Sequence, residues 1–176
     1  MSADRVSALA EHIRDIPDFP KQGILFKDIT TLLQDAAAFR QSLDELAERC
    51  GQYEVDKVIG IESRGFIFAA PLADRLGAGF IMVRKLGRLP AETVSAEYAL
   101  EYGTNTVEMH RDAIERGERV LIVDDLLATG GTCRAAIDLV EQVGGTVVGC
   151  AFLVELTFLE GRNALAGYDV QALIAY

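Results

Sequence analysis

Two adjacent acids followed by a run of small residues are the most chemically suggestive feature of this sequence. They lie in VLIVDDLLATGGT, Val120 to Thr132. Val120 to Val123 read as a short strand buried on both faces. Asp124 and Asp125 follow, and then the turn Ala128-Thr129-Gly130-Gly131-Thr132. From Cys133 to Val143, apolar residues recur at Ala136, Ile137, Val140 and Val143, which is helical spacing. The start of such a helix leaves backbone N–H groups without partners and carries the positive end of the helix dipole, a site for a phosphate. Gly130 and Gly131 let the main chain approach the anion, and Thr129 and Thr132 add hydroxyl donors. Ionised carboxylates only accept hydrogen bonds, and they repel a phosphate. Asp124 and Asp125 therefore call for donors beside it, and a sugar diol supplies them. A phosphate next to a diol describes a ribose 5-phosphate. Taken alone, the same residues also suit an acidic strand end that binds a metal.

Other stretches repeat parts of this design. Lys57 to Ile61 read as a strand, followed by the turn Glu62-Ser63-Arg64-Gly65 and a helical stretch to Leu76. This is a second candidate anion cradle, and the Arg64 guanidinium has the fork that matches phosphate oxygens. The competing reading of Arg64 is a surface ion pair. Phe80 to Val83 form the next buried strand. It runs into Arg84-Lys85-Leu86-Gly87-Arg88-Leu89-Pro90, the densest positive cluster in the chain and either a solvated loop or a diphosphate-binding one. Residues 91–110 alternate around Gly103-Thr104-Asn105 and predict a loose hairpin that carries Glu97, Tyr98, Glu101 and Tyr102.

The remaining elements are scaffolding. A helix over 4–15 ends before Pro17, and 17–30 reads as irregular. Asp35 is placed to cap a helix over 36–50, and strands are expected over 146–155 and 169–175.

Bulk properties narrow the class. A chain of 176 residues, half of them apolar, fits one domain, 1–176, with a full core. The formal charge of −10 argues against a nucleic-acid surface, and it requires any anionic substrate to be caught by local groups. No apolar run reaches membrane-span length, and the charged N-terminus lacks a signal-peptide core. Cys50, Cys133 and Cys150 form no zinc pattern and suggest reduced thiols in a cytoplasmic protein.

VLIVDDLLATGGT resembles the ribosyl-diphosphate signature of the type I phosphoribosyltransferases. PDFPKQGILFKDIT (17–30), GIESRGFIFAAPLA (60–73), VRKLGRLP (83–90), YALEYG (98–103) and LVELTFLEGR (153–162) extend the resemblance over nearly the whole chain, toward the members that use adenine. The resemblance implies an α/β fold, with a mostly parallel central sheet flanked by helices and a flexible hood, residues 91–110, over the active site. It implies transfer of the 5-phosphoribosyl group from 5-phosphoribosyl-1-diphosphate to adenine, giving AMP and diphosphate, with Mg²⁺ held mainly through substrate, and a homodimer. Residues 1–30 would contact the base, through Leu25, Phe26 and Lys27. Ser63, Arg64 and Lys85 would bind diphosphate. Asp124 and Asp125 would hold the ribose, and Ala128, Thr129, Gly130, Gly131 and Thr132 its 5-phosphate. Glu101 would act as the base that takes the adenine proton, with Tyr102 beside it in the hood. The Glu62–Ser63 peptide resembles one that the family holds cis. Glu155 and Leu156 match a family motif and are read as structural. Two rivals stand: a transferase for an oxo-purine such as hypoxanthine, guanine or xanthine, and a non-catalytic sensor of the ribosyl diphosphate.

Overall fold

The computed structural model describes residues 3–99 and 103–176. In order they form α1 (Ala3–Glu11), β1 (Arg14–Pro17), β2 (Leu25–Asp28), α2 (Thr30–Gln34), α3 (Ala36–Cys50), β3 (Lys57–Ile61), α4 (Gly65–Leu76), β4 (Gly79–Lys85), β5 (Thr93–Ala99), β6 (Thr104–His110), β7 (Arg119–Leu127), α5 (Gly131–Gln142), β8 (Thr146–Glu155), two 3₁₀ turns (Thr157–Leu159 and Gly161–Leu165) and β9 (Val170–Ala175). The chain divides into two compact units, residues 1–45 and 46–176.

In the first unit the expected helix over 4–15 is too long, and 17–30 is not wholly irregular. α1 stops at Glu11, and Arg14–Pro17 pairs antiparallel with Leu25–Asp28. The reason is local. Pro17 drives the residue before it into extended backbone. Once Ile16 is extended, the ladder continues back to Arg14 opposite Asp28. Ion pairs pin both strands: Arg14 to Asp28 at 2.5 Å and Lys27 to Asp15 at 2.6 Å. The Arg14 hydrogen bond and the Thr30 N–H hold the Asp28 carboxyl down at about 2. Asp35 does cap α3, accepting from the Ala37 and Ala38 N–H groups at 2.9 Å.

The second unit is built on a seven-stranded sheet in the order β5-β6-β4-β3-β7-β8-β9. β4, β3, β7, β8 and β9 run parallel, and the β5–β6 hairpin joins antiparallel at β4. The inner strands are covered on both sides, which is why they are apolar runs without alternation. Val58, Ile59 and Val120 to Val123 are wholly buried. Ile59, Ile61, Val120 and Ile122 share a core with Ala136, Ile137 and Val140 of α5. Gly60, between Ile59 and Ile61, faces the other side, where a Cβ would press on Ala69 and Phe66 of α4 and on Phe80. α4 and α5 therefore cover opposite faces, and the mostly parallel sheet with flanking helices is present as expected.

The missing side chain at Gly60 sets how closely α4 lies on β3. In Gly60→Ala the new methyl would sit 2.8 Å from the Ala69 Cβ and 2.9 Å from the Phe80 ring. We expect a loss of about 1–3 kcal/mol in unfolding free energy, read by urea denaturation. An unchanged midpoint would show that the contact has slack.

Candidate functional site

Parallel strands aim their C-terminal ends at one edge, and crevices open there where the strand order reverses. Here the reversal lies between β3 and β7. β3 is followed in sequence by β4 on one side, whereas β7 is followed by β8 on the other. A cleft of about 370 Å³ occupies this point. The β3 end contributes Ile61, Glu62, Ser63 and Arg64, β4 contributes Lys85, and β5 contributes Tyr98. β7, the loop after it and the start of α5 contribute Asp124, Asp125, Leu126, Ala128 and Thr132. A smaller cavity of about 70 Å³ is lined by Ala128 to Cys133 and by Asp124.

The acids do not follow the strand, as the sequence suggested; they belong to it. β7 continues to Leu127 because β8 keeps pairing with it, Asp124 opposite Phe152 and Leu127 opposite Glu155. Both carboxylates line the cleft at the end of the strand and lie close to each other. Asp125 is buried, and its Oδ2 accepts from the Arg64 Nε at 2.5 Å. Asp124 lines both cavities, and its Oδ1 accepts from the Asp125 N–H at 2.9 Å. Burial first, and then the neighbouring Asp125 charge, push the Asp124 carboxyl well above the usual carboxylate range. The turn after β3 crowds it from above. A Cβ on Gly65 would lie 2.7 Å from the Asp124 Oδ1 and 3.1 Å from the Val123 carbonyl oxygen, so a larger residue there would displace the Asp124 carboxylate.

The loop after β7 also starts its helix earlier than expected. α5 begins at Gly131 rather than Cys133, so Gly131 and Thr132 belong to its first turn, where N–H groups have no helical partner. Gly130 turns the chain at φ +83°, and a Cβ there would overlap the Gly161 carbonyl oxygen. Cys133 is buried behind the loop, where its contact with Cys150 and its burial raise the thiol pKa, so it is no reactive nucleophile.

Two carboxylates shape the basic loop. Glu62 accepts from the Lys85 N–H at 3.0 Å and from Arg84 Nε and Nη2 at 3.2 and 3.3 Å. Glu108, 3% exposed, accepts from the Arg88 and Leu89 N–H groups at 2.8 and 2.9 Å. Burial raises both acids, but these donors outweigh it and hold both below the usual range. The acids thus satisfy the loop's own donors, and Lys85 remains in the cleft. The Glu62–Ser63 peptide is cis, as the resemblance implied.

The structure therefore brings Ser63, Arg64, Lys85, Asp124, Asp125, Ala128 and Thr132 into one cleft, with Thr129, Gly130 and Gly131 lining the smaller cavity. Leu25, Phe26 and Lys27 form most of β2 in the first unit. Glu101 and Tyr102 lie outside the described residues. Sequence reasoning missed Tyr98 as a cleft residue and Glu62 and Glu108 as loop anchors. Glu108 left one signal, a lone acid between Val107 and Met109 that are both buried.

Residues 29–166 match the family model of the phosphoribosyl transferase domain. The chain is 58% identical over 173 residues to an adenine phosphoribosyltransferase of Thermobifida fusca, covering 98% of each. Its structure is similar to that of adenine phosphoribosyltransferase from Thermoanaerobacter pseudethanolicus, with a TM-score of 0.95 and 56% identity over 97% of this chain and 99% of that one. It is also similar to the Saccharomyces cerevisiae enzyme, which was solved with an imino-altritol bisphosphate and adenine. There the TM-score is 0.91 and the identity 39%, over 98% of this chain and 99% of that one.

Glu108 gives a pH test. Its folded carboxyl titrates below the ordinary 4.5, so its contribution is complete above that value and is lost as pH falls through the folded pKa. Between about pH 5 and about pH 3, unfolding free energy should fall less steeply for Glu108→Gln than for the unaltered chain. Parallel slopes would mean that the Glu108 charge does not hold the loop.

Proposed function

We infer the reaction from one premise: the chain belongs to the phosphoribosyltransferase family. It transfers the 5-phosphoribosyl group from 5-phosphoribosyl-1-diphosphate to adenine, forming AMP and releasing diphosphate, a step of purine salvage. The observation that carries this reading is the cleft at the strand reversal, where the acids of β7, a helix-start anion cradle, Arg64 and Lys85 converge. The relatives decide the base in favour of adenine over the oxo-purines and in favour of an enzyme over a sensor, since they are named adenine phosphoribosyltransferases over nearly their full length.

The reaction is a displacement at the anomeric carbon. A bond forms from an adenine ring nitrogen, the carbon–oxygen bond to diphosphate breaks, and positive charge grows on the sugar between these events. In our reading the N–H groups and hydroxyls of Ala128 to Thr132 fix the 5-phosphate. Asp124 and Asp125 hold the ribose hydroxyls and favour the positive sugar. Arg64 leaves Asp125 and, with Lys85 and the Ser63 turn, takes up charge on the departing diphosphate. The hard carboxylate oxygens of Asp124 and Asp125 in this cleft suit a Mg²⁺ that keeps waters and substrate oxygens as ligands, and when bound it would neutralise the leaving group further.

Further assignments rest on the resemblance. Main-chain groups of Leu25, Phe26 and Lys27 read the adenine edge, with a ring against the base. The 91–110 hairpin acts as a hood that excludes water, and Glu101 takes the adenine proton beside Tyr102. The active form is a homodimer, which sedimentation would test. A cytoplasmic location is supported by three free buried cysteines. Among the described residues no helix is long and apolar enough to cross a membrane.

Diphosphate release with Mg²⁺ and the ribosyl diphosphate, measured for adenine, hypoxanthine, guanine and xanthine in competition, should favour adenine by about 10²-fold or more. Comparable rates for an oxo-purine would overturn the assignment. Glu101→Gln should lower kcat by about 10²-fold or more if this carboxylate is the base. Turnover within a few-fold of the unaltered chain would remove it from that role.

A further inference from the structure

The motif around Glu155 is absorbed by none of the steps above, yet it stands directly behind the phosphate loop. Glu155 ends β8 opposite Leu127, the last residue of β7 before that loop. Its side chain is buried, and its two oxygens accept from Arg162 Nε and Nη2, both at 2.8 Å. The third guanidinium nitrogen, Nη1, donates to the Val170 carbonyl at 3.0 Å. Arg162 thereby ties the 161–165 turn to the end of β8 and the start of β9.

That turn meets the phosphate loop backbone to backbone. A Cβ on Gly130 would overlap the Gly161 carbonyl oxygen, and a Cβ on Gly161 would overlap the Ala128 carbonyl oxygen. Each glycine is required by the carbonyl of the other segment. In both cases the nearest atom is a backbone carbonyl, with the Leu127 and Ala164 side chains packed beside it, and packed interiors transmit displacement rather than damp it. The position of the turn is therefore the position of the loop.

We propose that the Glu155–Arg162 fork is a positioning device for the 5-phosphate loop. It acts through the Gly161 backbone and touches no substrate. A bidentate pair fixes direction as well as distance, which a single ammonium cannot do. The inference rests on the reading that Ala128 to Thr132 hold the 5-phosphate, and the experiment separates the two.

Binding of ribose 5-phosphate and of inorganic diphosphate is measured by titration calorimetry on the full chain, for Arg162→Lys, Glu155→Gln and the direct loop variant Thr132→Ala. The proposal expects both fork variants to bind ribose 5-phosphate about tenfold more weakly while diphosphate affinity stays within about twofold. Should Glu155→Gln fail to fold, Arg162→Lys, which keeps the charge and loses the fork together with the Val170 hydrogen bond, carries the test. Weakened ribose 5-phosphate binding in Thr132→Ala, with unaltered binding in the fork variants, overturns the fork and leaves the loop reading intact. Equal loss of both ligands in the fork variants also overturns it, since the pair would then only stabilise the fold. Unaltered ribose 5-phosphate binding in Thr132→Ala overturns the loop reading itself.

Discussion

A chain with ten surplus negative charges must bind a polyanion, and the site is arranged around that conflict. The overall field repels the substrate, so attraction has to be local and dense. The sources of positive potential are backbone and side chain together: the first turn of α5, the turn into α4, Arg64 and Lys85. They converge because parallel strands present their C-terminal ends on one edge and the order reverses between β3 and β7.

The same conflict explains what the nearby acids do. Glu62 lines the cleft and Glu108 lies behind the basic loop, and both are occupied by N–H groups and Arg84 of that loop. Their charge is used to shape the loop. Asp125 is matched by Arg64 in the same way. Asp124 is the exception. Burial and the adjacent Asp125 push its carboxyl upward. The glycines serve close approach: Gly65 makes room for Asp124, and Gly130 for the turn that backs the phosphate loop.

Much of this was legible before any coordinates. The order strand, acids, glycine turn and helix over Val120 to Thr132 was readable from residue type, because each part has a local cause. The doubly buried strands were equally plain as unbroken apolar runs. What the sequence could not disclose depended on pairing partners far away in the chain. β7 runs past the acids only because β8 pairs with it to Glu155, and this makes Asp124 and Asp125 part of the strand. β1 starts from the local bias of Pro17 and reaches back to Arg14 only by pairing with β2, so the stretch up to Asp15 looked like more helix. Glu108 showed only as a lone acid between apolar neighbours and Arg162 only as the end of a matched stretch, since their roles follow from which backbone groups the fold brings to them.

The central claim is spatial: the sugar-phosphate half of a nucleotide lies where β7 passes into α5. A crystal soaked with AMP tests it most directly. The account expects the phosphate against the N–H groups of Ala128 to Thr132, with ribose hydroxyls toward Asp124 and Asp125. Ordered AMP elsewhere on the molecule, with that loop vacant, would contradict it.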